Sequence, residues 1–528
     1  MTDTASPADE AGAEPAPLAP PAKADFGAWL AVAAGTIGAF MATLDISIVN
    51  SALPTIQGEI GASGTEGTWI ATAYLVAEII MIPLAGWLER LSGLRAFLLT
   101  MVGGFTLFSM LCGVSTSLPM MIVGRIGQGF TGGALIPTAM TIIATRLPPH
   151  QQPMGIAAFG LTAVTGPVLG PVVGGWLAEN VSWHYAFFIN LPIGVLLSCL
   201  LFFGLPPVRA QWHLLRQADW FGIAGIILFL GGLTIFLEEG EREQWFESST
   251  IVAVFAMSMV GFVSLMIGQM LAERPVLRLS LLLDRQFGSV ILMAMIVGAA
   301  VYGTSFIIPQ FLSAIAGYNS LQSGQVVFLA GIPAAMLMPC IPWLIRSVDL
   351  RLLVITGLSL LALSCWLETD LTALSTGDVF AESQLIRGAG QTLAMMFLNQ
   401  AALSSVPIEL SRDAAGLFST ARNLGGSIAL AGISVVQDQR MWFHQRRLEE
   451  TISANSVIVQ DYMNGQAASL GGMPTAFRAL SGTIQTQALT LTYVDMFWML
   501  TIGVIVVLPL TLLLRPLPKR RPLAEMAH

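Results

Sequence analysis

Long apolar stretches carrying few or no charges recur along the whole chain, and a helix that crosses a bilayer needs about 20 such residues. Runs of this kind cover about residues 28 to 52, 67 to 88, 95 to 114, 118 to 145, 152 to 178, 184 to 206, 219 to 238, 250 to 272, 286 to 313, 321 to 345, 351 to 369, 379 to 406, 413 to 436 and 492 to 514. They predict fourteen transmembrane helices, numbered 1 to 14 in chain order. An all-α polytopic membrane protein follows, because an isolated lipid-embedded segment satisfies its backbone only as a helix. With 55% hydrophobic and 11% charged residues over 528 positions, the chain has more apolar surface than a soluble fold hides. The net charge of -8 lies largely in the N-terminal tail and outer loops, and nothing in its distribution points to nucleic acid.

The first 26 residues, rich in Ala, Pro and acids, lack the basic start and apolar stretch of a secretory signal and read as a disordered cytoplasmic tail. An even helix count puts both termini on one side. Of the 24 Lys and Arg, 16 fall in the tails and even-numbered loops, 5 in the opposite loops and 3 within helices, so both termini are expected in the cytoplasm. The opposite loops are acidic, as in Glu238, Glu239, Glu241, Glu243 and Glu247. Cys112, Cys199, Cys340 and Cys365 lie in or beside apolar runs without paired spacing, which points away from a disulfide framework or thiolate metal site. The five histidines lie in loops or tails, so no metal or other cofactor is expected.

Charges inside the apolar runs carry the functional signal, since ionisable groups in a bilayer are costly and usually face a cavity, pair or carry protons. Asp45 lies about 12 Å below the outer end of helix 1, Arg125 about 10 Å below that of helix 4, and Glu78 about 15 Å down helix 2. Asp45 and Arg125 can meet if their helices face one cavity. Paired, the carboxylate stays ionised; desolvated or separated, it is pushed to protonate. Such a pair acts as a proton switch or as a permanent structural tie. Glu78 reads as a cavity acid for cationic substrates, a second proton carrier, or an acid kept neutral by burial. The second half offers Arg387, Arg422 and a peripheral Asp495 but no acid in helix 9, which suggests that protons are handled in the first half.

An internal repeat relates the halves. Gly124-Arg125-Ile126-Gly127-Gln128-Gly129 in helix 4 and Ile386-Arg387-Gly388-Ala389-Gly390-Gln391 in helix 12 each place an Arg just inside the outer end, followed by small residues. The interval of about 260 residues equates helices 1 to 6 with 9 to 14, an arrangement common among secondary transporters. The expected organisation is a tail (1–26), a six-helix bundle (27–208), two inserted helices (209–275), a second six-helix bundle (276–515) including a long outer loop (438–491), and a cytoplasmic tail (516–528). Helix 5 carries Gly166, Pro167, Gly170, Pro171, Gly174 and Gly175. Glycines four apart form one face on which another backbone packs closely, and each Pro removes a donor and bends the segment.

These residues resemble a known family. The helix 5 segment looks like the antiporter signature of major facilitator exporters. The string Leu44-Asp45-Ile46-Ser47-Ile48-Val49-Asn50-Ser51-Ala52-Leu53-Pro54 is similar to their helix 1 motif, and Arg125 with Gln128 and Gly129 to their helix 4 motif. Trp183 to Gly194, entering helix 6, and Ala421 to Ser427, in helix 13, add further matches. Together they resemble the fourteen-helix drug:proton antiporters of the EmrB/QacA type, and most of all the EmrB branch of Gram-negative bacteria, over residues 28 to 515.

The resemblance implies a major facilitator fold in the bacterial inner membrane and proton-driven efflux of hydrophobic or amphipathic toxic compounds. The proton gradient would be the energy source, and Asp45, Arg125 and Glu78 the coupling residues. Export of one metabolite, such as a fatty acid or siderophore, is the alternative. The resemblance also implies a periplasmic membrane-fusion adaptor and an outer-membrane channel as partners, with the loop 438–491, which opens on a helical stretch to Glu450, as the docking element. One motif departs from the family: the gating loop with Gly86, Glu89, Arg90, Gly93 and Arg95 has Arg90 where most relatives place Asp and Leu94 where they place a basic residue. Glu89 and Arg95, with Arg346 or Arg351, are expected to rebuild the relay, or the loop is a solvated turn. Tyr302, Thr304, Phe306, Arg387, Met395 and Arg422 are the expected substrate cavity. An ATP-driven pump lacks a phosphate-cradling Lys, since Lys23 and Lys519 both lie in tails, and no catalytic triad or cofactor motif suggests an enzyme.

Overall fold

The computed structural model describes residues 24–62, 64–148, 151–272, 275–407, 410–452 and 456–515, and these contain helices and no strand. Fourteen helical columns follow one another: α1 (Phe26–Ile60), α2 (Trp69–Ser92), α3 (Leu94–Gly113), α4 (Leu118–Gly132, resuming as Leu135–Arg146), α5 (Gln152–Asn180), α6 (Tyr185–Phe188 and Asn190–Gly204), α7 (Trp220–Glu239) and α8 (Ser249–Leu271). The second half contains α9 (Arg285–Ala314), α10 (Ser320–Phe328, Gly331–Leu337 and Ile341–Ser347), α11 (Leu350–Leu367), α12 (Phe380–Ser404), α13 (Ser411–Thr451) and α14 (Met473–Val507). Eleven are long and apolar enough by themselves to cross a membrane. The other three are α4, which breaks at Gly133, and α12 and α13, whose embedded Arg387 and Arg422 belong to the sites below.

Helices α1, α7, α9 and α11, which start on the face where the chain enters, each begin at an aspartate. The carboxylates of Asp25, Asp219, Asp284 and Asp349 accept from Ala28, Gly222, Gln286 and Arg351 backbone N–H groups at 2.7–3.0 Å. Each thereby satisfies a donor that a helix start leaves open. Internal symmetry shows in the glycine seams. A Cβ at Gly170 of α5 would lie 2.1 Å from Ser47 Cβ of α1, and one at Gly425 of α13 would lie 2.1 Å from the Met295 carbonyl of α9. Each first helix thus packs backbone to backbone on the fifth helix of its own half.

The inserted α7 packs on α8 and also on α2 and α13. Its outer end differs from the expected acidic loop: Glu239 is buried in the last turn and accepts from Thr72 of α2 at 2.8 Å, while Arg242 reaches both Glu239 and Thr68. Glu238 faces Ser427 of α13. Burial raises the Glu241 carboxyl above its ordinary value; Ser434 opposes the rise and Asp438 adds to it. The insert therefore touches both halves at one end.

The segment 438–491, expected as a loop with one helical stretch, is largely helical. α13 continues to Thr451, a separate helix covers Val457–Leu470, and α14 already begins at Met473 after Gly471 and Gly472 turn the chain with φ of 83° and 138°. At 41 residues α13 is about 60 Å long, twice the roughly 30 Å of hydrocarbon in a bilayer. Asp495 of α14 holds the projection to α13 through Arg440 at 3.0 Å and His444 at 2.8 Å.

Candidate proton-coupling site

Asp45 is fully buried on α1, and two other helices deliver three donors to it. Arg125 Nη1 donates to Oδ2 at 2.6 Å, Gln128 Nε2 to Oδ1 at 3.0 Å, and Asn190 Nδ2 to Oδ1 at 2.7 Å. Arg125 and Gln128 lie three residues apart on α4 and so share a face; Asn190 opens the second piece of α6. The guanidinium is itself held: Nε donates to the Ile70 carbonyl at 3.1 Å, and the Tyr74 ring of α2 lies 4.3 Å from its central carbon. Ser109 of α3 accepts from Asn190 at 2.9 Å and donates to the Phe187 carbonyl at 2.8 Å.

The physical consequence is specific. A buried ion pair persists only where hydrogen bonds fill its remaining positions, and here both carboxylate oxygens are filled. Any movement of Arg125 away from α1 takes its hydrogen bond from Asp45 Oδ2, so the carboxylate and α4 are mechanically tied. The expected meeting of Asp45 and Arg125 is thus present. Gln128 and Asn190 stood inside recognised motifs without an assigned role, and Ser109 and Tyr74 left no signal in the sequence.

Glu78 is buried on α2 and belongs to a different cluster, at the seam between the halves. Arg422 and Asn423 of α13 face it, and the charge of Arg125 also acts on it. Arg422 Nε and Nη2 donate to Asn423 Oδ1 at 3.2 and 3.0 Å, and the Tyr302 hydroxyl of α9 donates to the same oxygen at 3.4 Å. Close approach of α2 and α4 puts Glu78 there, because a Cβ at Gly133 would lie 2.7 Å from the Glu78 carbonyl.

The proposed antiporter residues line the α1 seam. Gly166, Gly170, Gly174 and Gly175 are buried in one continuous helix that contains Pro167 and Pro171. Cβ atoms at Gly166 and Gly174 would meet Thr43 Oγ1 at 2.1 Å and Ser51 Oγ at 2.2 Å. Pro171 also packs toward α10, 3.2 Å from where a Gly324 Cβ would stand, so α5 links the Asp45 helix to the other half.

The sequence profile described as the Major Facilitator Superfamily matches residues 35–430. The chain belongs to the major facilitator superfamily. It is 33% identical over 92% of its length to the colistin resistance protein EmrB of Acinetobacter baumannii, 96% of which is covered. It is 30% identical over 90% of its length to the multidrug export protein EmrB of Escherichia coli, 92% of which is covered. The crystal structure of the human organic anion transporter MFSD10 shares the fold, with a TM-score of 0.57 at 15% identity over 90% of this chain and 99% of that one.

As a major facilitator, the protein departs from the family at its gating loop in a way the structure explains. Arg90, in the last turn of α2, stands 3.6 Å from Asp413 at the start of α13, and Arg278 stands 3.5 Å from the same carboxylate. Charge pairing between the halves is therefore present here, with the base on α2 and the acid on α13. It does not use the residues expected from the sequence: Arg95 lies over the Phe202 ring at 4.2 Å, Arg351 donates from Nε to the Leu514 carbonyl at 2.5 Å, Glu89 is buried in α2, and the Arg346 side chain lies outside the described residues. Gly86 is half-buried in α2, and Gly93 supplies the φ of 81° that lets α2 turn into α3. Arg90→Glu sets two carboxylates face to face and lowers efflux several-fold. Adding Asp413→Arg recovers part of the loss, as read by dye efflux from loaded cells.

The expected substrate cavity divides into two places. Tyr302 and Arg422 belong to the Glu78 seam, whereas Arg387 and Thr304 are buried together inside the second half, with Nη1 donating to Oγ1 at 2.7 Å. Phe306 packs on the apolar cluster around Phe311 and Tyr493, and Met395 on the main core. The expectation that the second half holds no embedded acid is also corrected: Glu368, at the end of α11, is buried beside Arg387. Depth alone did not reveal it, because it sits at the outer edge of an apolar run.

Proposed function

We propose that this major facilitator is a drug:proton antiporter of the bacterial inner membrane, with both termini cytoplasmic, that exports hydrophobic or amphipathic toxic compounds. The observation that carries the reading is the cage around Asp45. A carboxylate fully buried in a membrane helix, with both oxygens held by donors from α4 and α6, exchanges its Arg125 contact for a proton as the helices move. α5 then connects that movement to the seam. Extrusion of drug from the cytoplasm and entry of a proton become alternate occupants of one cycle, with the proton gradient as energy source. Glu78, placed at the seam beside Arg422, supplies a negative group for cationic compounds. The names of the EmrB relatives and the excess of basic residues on the terminal face support the substrate class and the orientation.

The test is a growth-protection screen in an efflux-deficient bacterial host, comparing wild type with Asp45→Asn across chemically diverse toxins. Protection by wild type against several unrelated apolar compounds, lost in the variant, is the expected result. Protection confined to one class, such as long-chain fatty acids, moves the assignment to a dedicated metabolite exporter, and protection retained by the variant refutes the coupling role.

A periplasmic membrane-fusion adaptor, leading to an outer-membrane channel, is the proposed partner, and the helical projection is its docking element. Val457, Ile458, Trp442 and Phe477 are exposed on its three helices, and solvent-facing apolar groups of this kind mark interaction surfaces. Serine at Val457 and Ile458 is expected to weaken co-purification of the adaptor several-fold while leaving drug-driven proton movement in proteoliposomes intact. Unchanged co-purification removes the projection from the interface.

A further inference from the structure

The second half contains a buried polar cluster that the coupling cycle just proposed does not use. Glu368 closes α11 in a 3-10 turn, and Ser383, Gln384 and Arg387 share one face of α12. Glu368 Oε1 accepts from Ser383 Oγ at 2.8 Å and from Gln384 Nε2 at 3.0 Å. Arg387 turns the other way to Thr304 of α9 and lies beyond ion-pair distance of the carboxylate, although their charges act on each other. All five side chains are at most 3% exposed.

The cluster is the repeat-related counterpart of the Asp45 cage with its parts redistributed. The interval that carries Arg125 to Arg387 carries Asp45 to Ile307 of α9, one helical turn from Thr304, and it is Thr304 that meets the arginine. A hydroxyl therefore replaces the carboxylate against the arginine, and the negative charge comes from α11 instead. The two cages differ in one decisive respect. Both oxygens of Asp45 accept hydrogen bonds and the orphan atoms of its cage, Asn190 Oδ1 and Tyr74 Oη, lie off the carboxylate, whereas in the second cluster the carboxylate itself is incomplete: Glu368 Oε2, with Gln384 Oε1 and Arg387 Nε, has no hydrogen-bond partner. A buried unpaired oxygen on a charged group is costly, and three orphan atoms in one cluster mark a place where a ligand binds.

We infer that Glu368 is a second proton-exchange site of the transporter, taking a proton on its unpartnered oxygen. The step is a simple transfer: hydronium gives its proton to the carboxylate and leaves as water. The resulting O–H becomes a donor, and Gln384 Oε1 is an unfilled acceptor on the same side chain that already binds the carboxylate. Protonation also removes the compensating charge from Arg387, whose remaining held contact is Thr304 of α9, so the proton state of α11 is felt on the helix equivalent to α1. Arg387 from α12 and Cys365 from α11 itself are the ionisable groups facing Glu368 among the described residues. The inference rests on the proton-driven reading above.

The experiment treats the full chain in native membrane vesicles with dicyclohexylcarbodiimide, which modifies protonated carboxyls in apolar surroundings, and maps the adduct by mass spectrometry. Label at Glu368 that falls as pH rises is expected. No label at any pH, or label independent of pH, overturns the inference. In proteoliposomes Glu368→Gln is expected to lose about one proton per exported drug while still transporting, and an unchanged ratio overturns the site. Asp45→Asn separates the two readings: if that variant keeps drug-driven proton movement, the coupling role of Asp45 fails, whereas pH-dependent label at Glu368 reports on the second site alone.

Discussion

Asp45→Asn abolishes drug-driven proton movement and growth protection while the protein still folds and inserts. The amide keeps the shape of the carboxylate but does not exchange a proton in the working range. Removing one partner of a buried pair costs about 3–5 kcal/mol when the other charge is left stranded. Here the cost is smaller, because Arg125 retains the Ile70 carbonyl, Gln128 Oε1 at 3.2 Å and the Tyr74 ring. The expected result is therefore a folded, monodisperse protein with modestly lowered thermal stability and no acidification signal on drug addition. Asn190→Ala is informative beside it: it removes one neutral donor at 2.7 Å while Arg125 and Gln128 stay in place, so drug-driven proton movement is expected to fall only in part. Proton movement equal to wild type would argue that Asn190 only positions α6.

Gly170→Ala is the second large effect. An added methyl carbon stands 2.1 Å from Ser47 Cβ, 3.0 Å from the Ser47 carbonyl carbon and 3.1 Å from the Ile48 nitrogen. Backbone cannot rotate away as a side chain can, so α1 and α5 must separate. Overpacking of this kind typically costs about 1–3 kcal/mol, and the displacement falls on the helix that carries Asp45. Efflux is expected to fall at least tenfold, with lower yield of folded protein. Ser47→Gly in the same chain removes the worst overlap and restores part of both. Gly103→Ala is the matched control, since a Cβ there meets nothing within 4 Å. If Gly170→Ala transports normally, the Gly-Pro segment is not a packing constraint on the coupling helix.

Much of the site's outline was readable from one dimension. Depth arithmetic placed Asp45 and Arg125 at matching levels, and both lie in contact. Glycines four apart in helix 5 announced a close helix partner, and α1 is that partner. Other features escaped for definite reasons. Glu368 sits at an apolar run's edge, where a charge is unremarkable, and only the inward rotation of α11 buries it. Arg90 looked like a lost motif residue, yet Asp413, far away in the chain, pairs with it across the two halves. The segment 438–491 reads as a loop by hydropathy, because a helix standing outside the bilayer carries no apolar run to mark it.

The sequence by itself determined the membrane class, the fourteen spans, the repeat of the two arginines and the inequality of charge between the two faces. These depend on how apolar and ionisable residues are ordered along the chain, and hydrophobic thickness and the cost of buried charge act on that order directly. The tertiary structure alone decided that Gln128 and Asn190 close the cage of Asp45, that Glu78 meets Arg422 and Asn423 at the seam, that the expected cavity residues divide between two clusters, and that Glu368 shares its burial with Arg387. The reason is geometric. Order along the chain sets a residue's depth, but its partners depend on the rotation and tilt of each helix, which are settled by packing among all of them together.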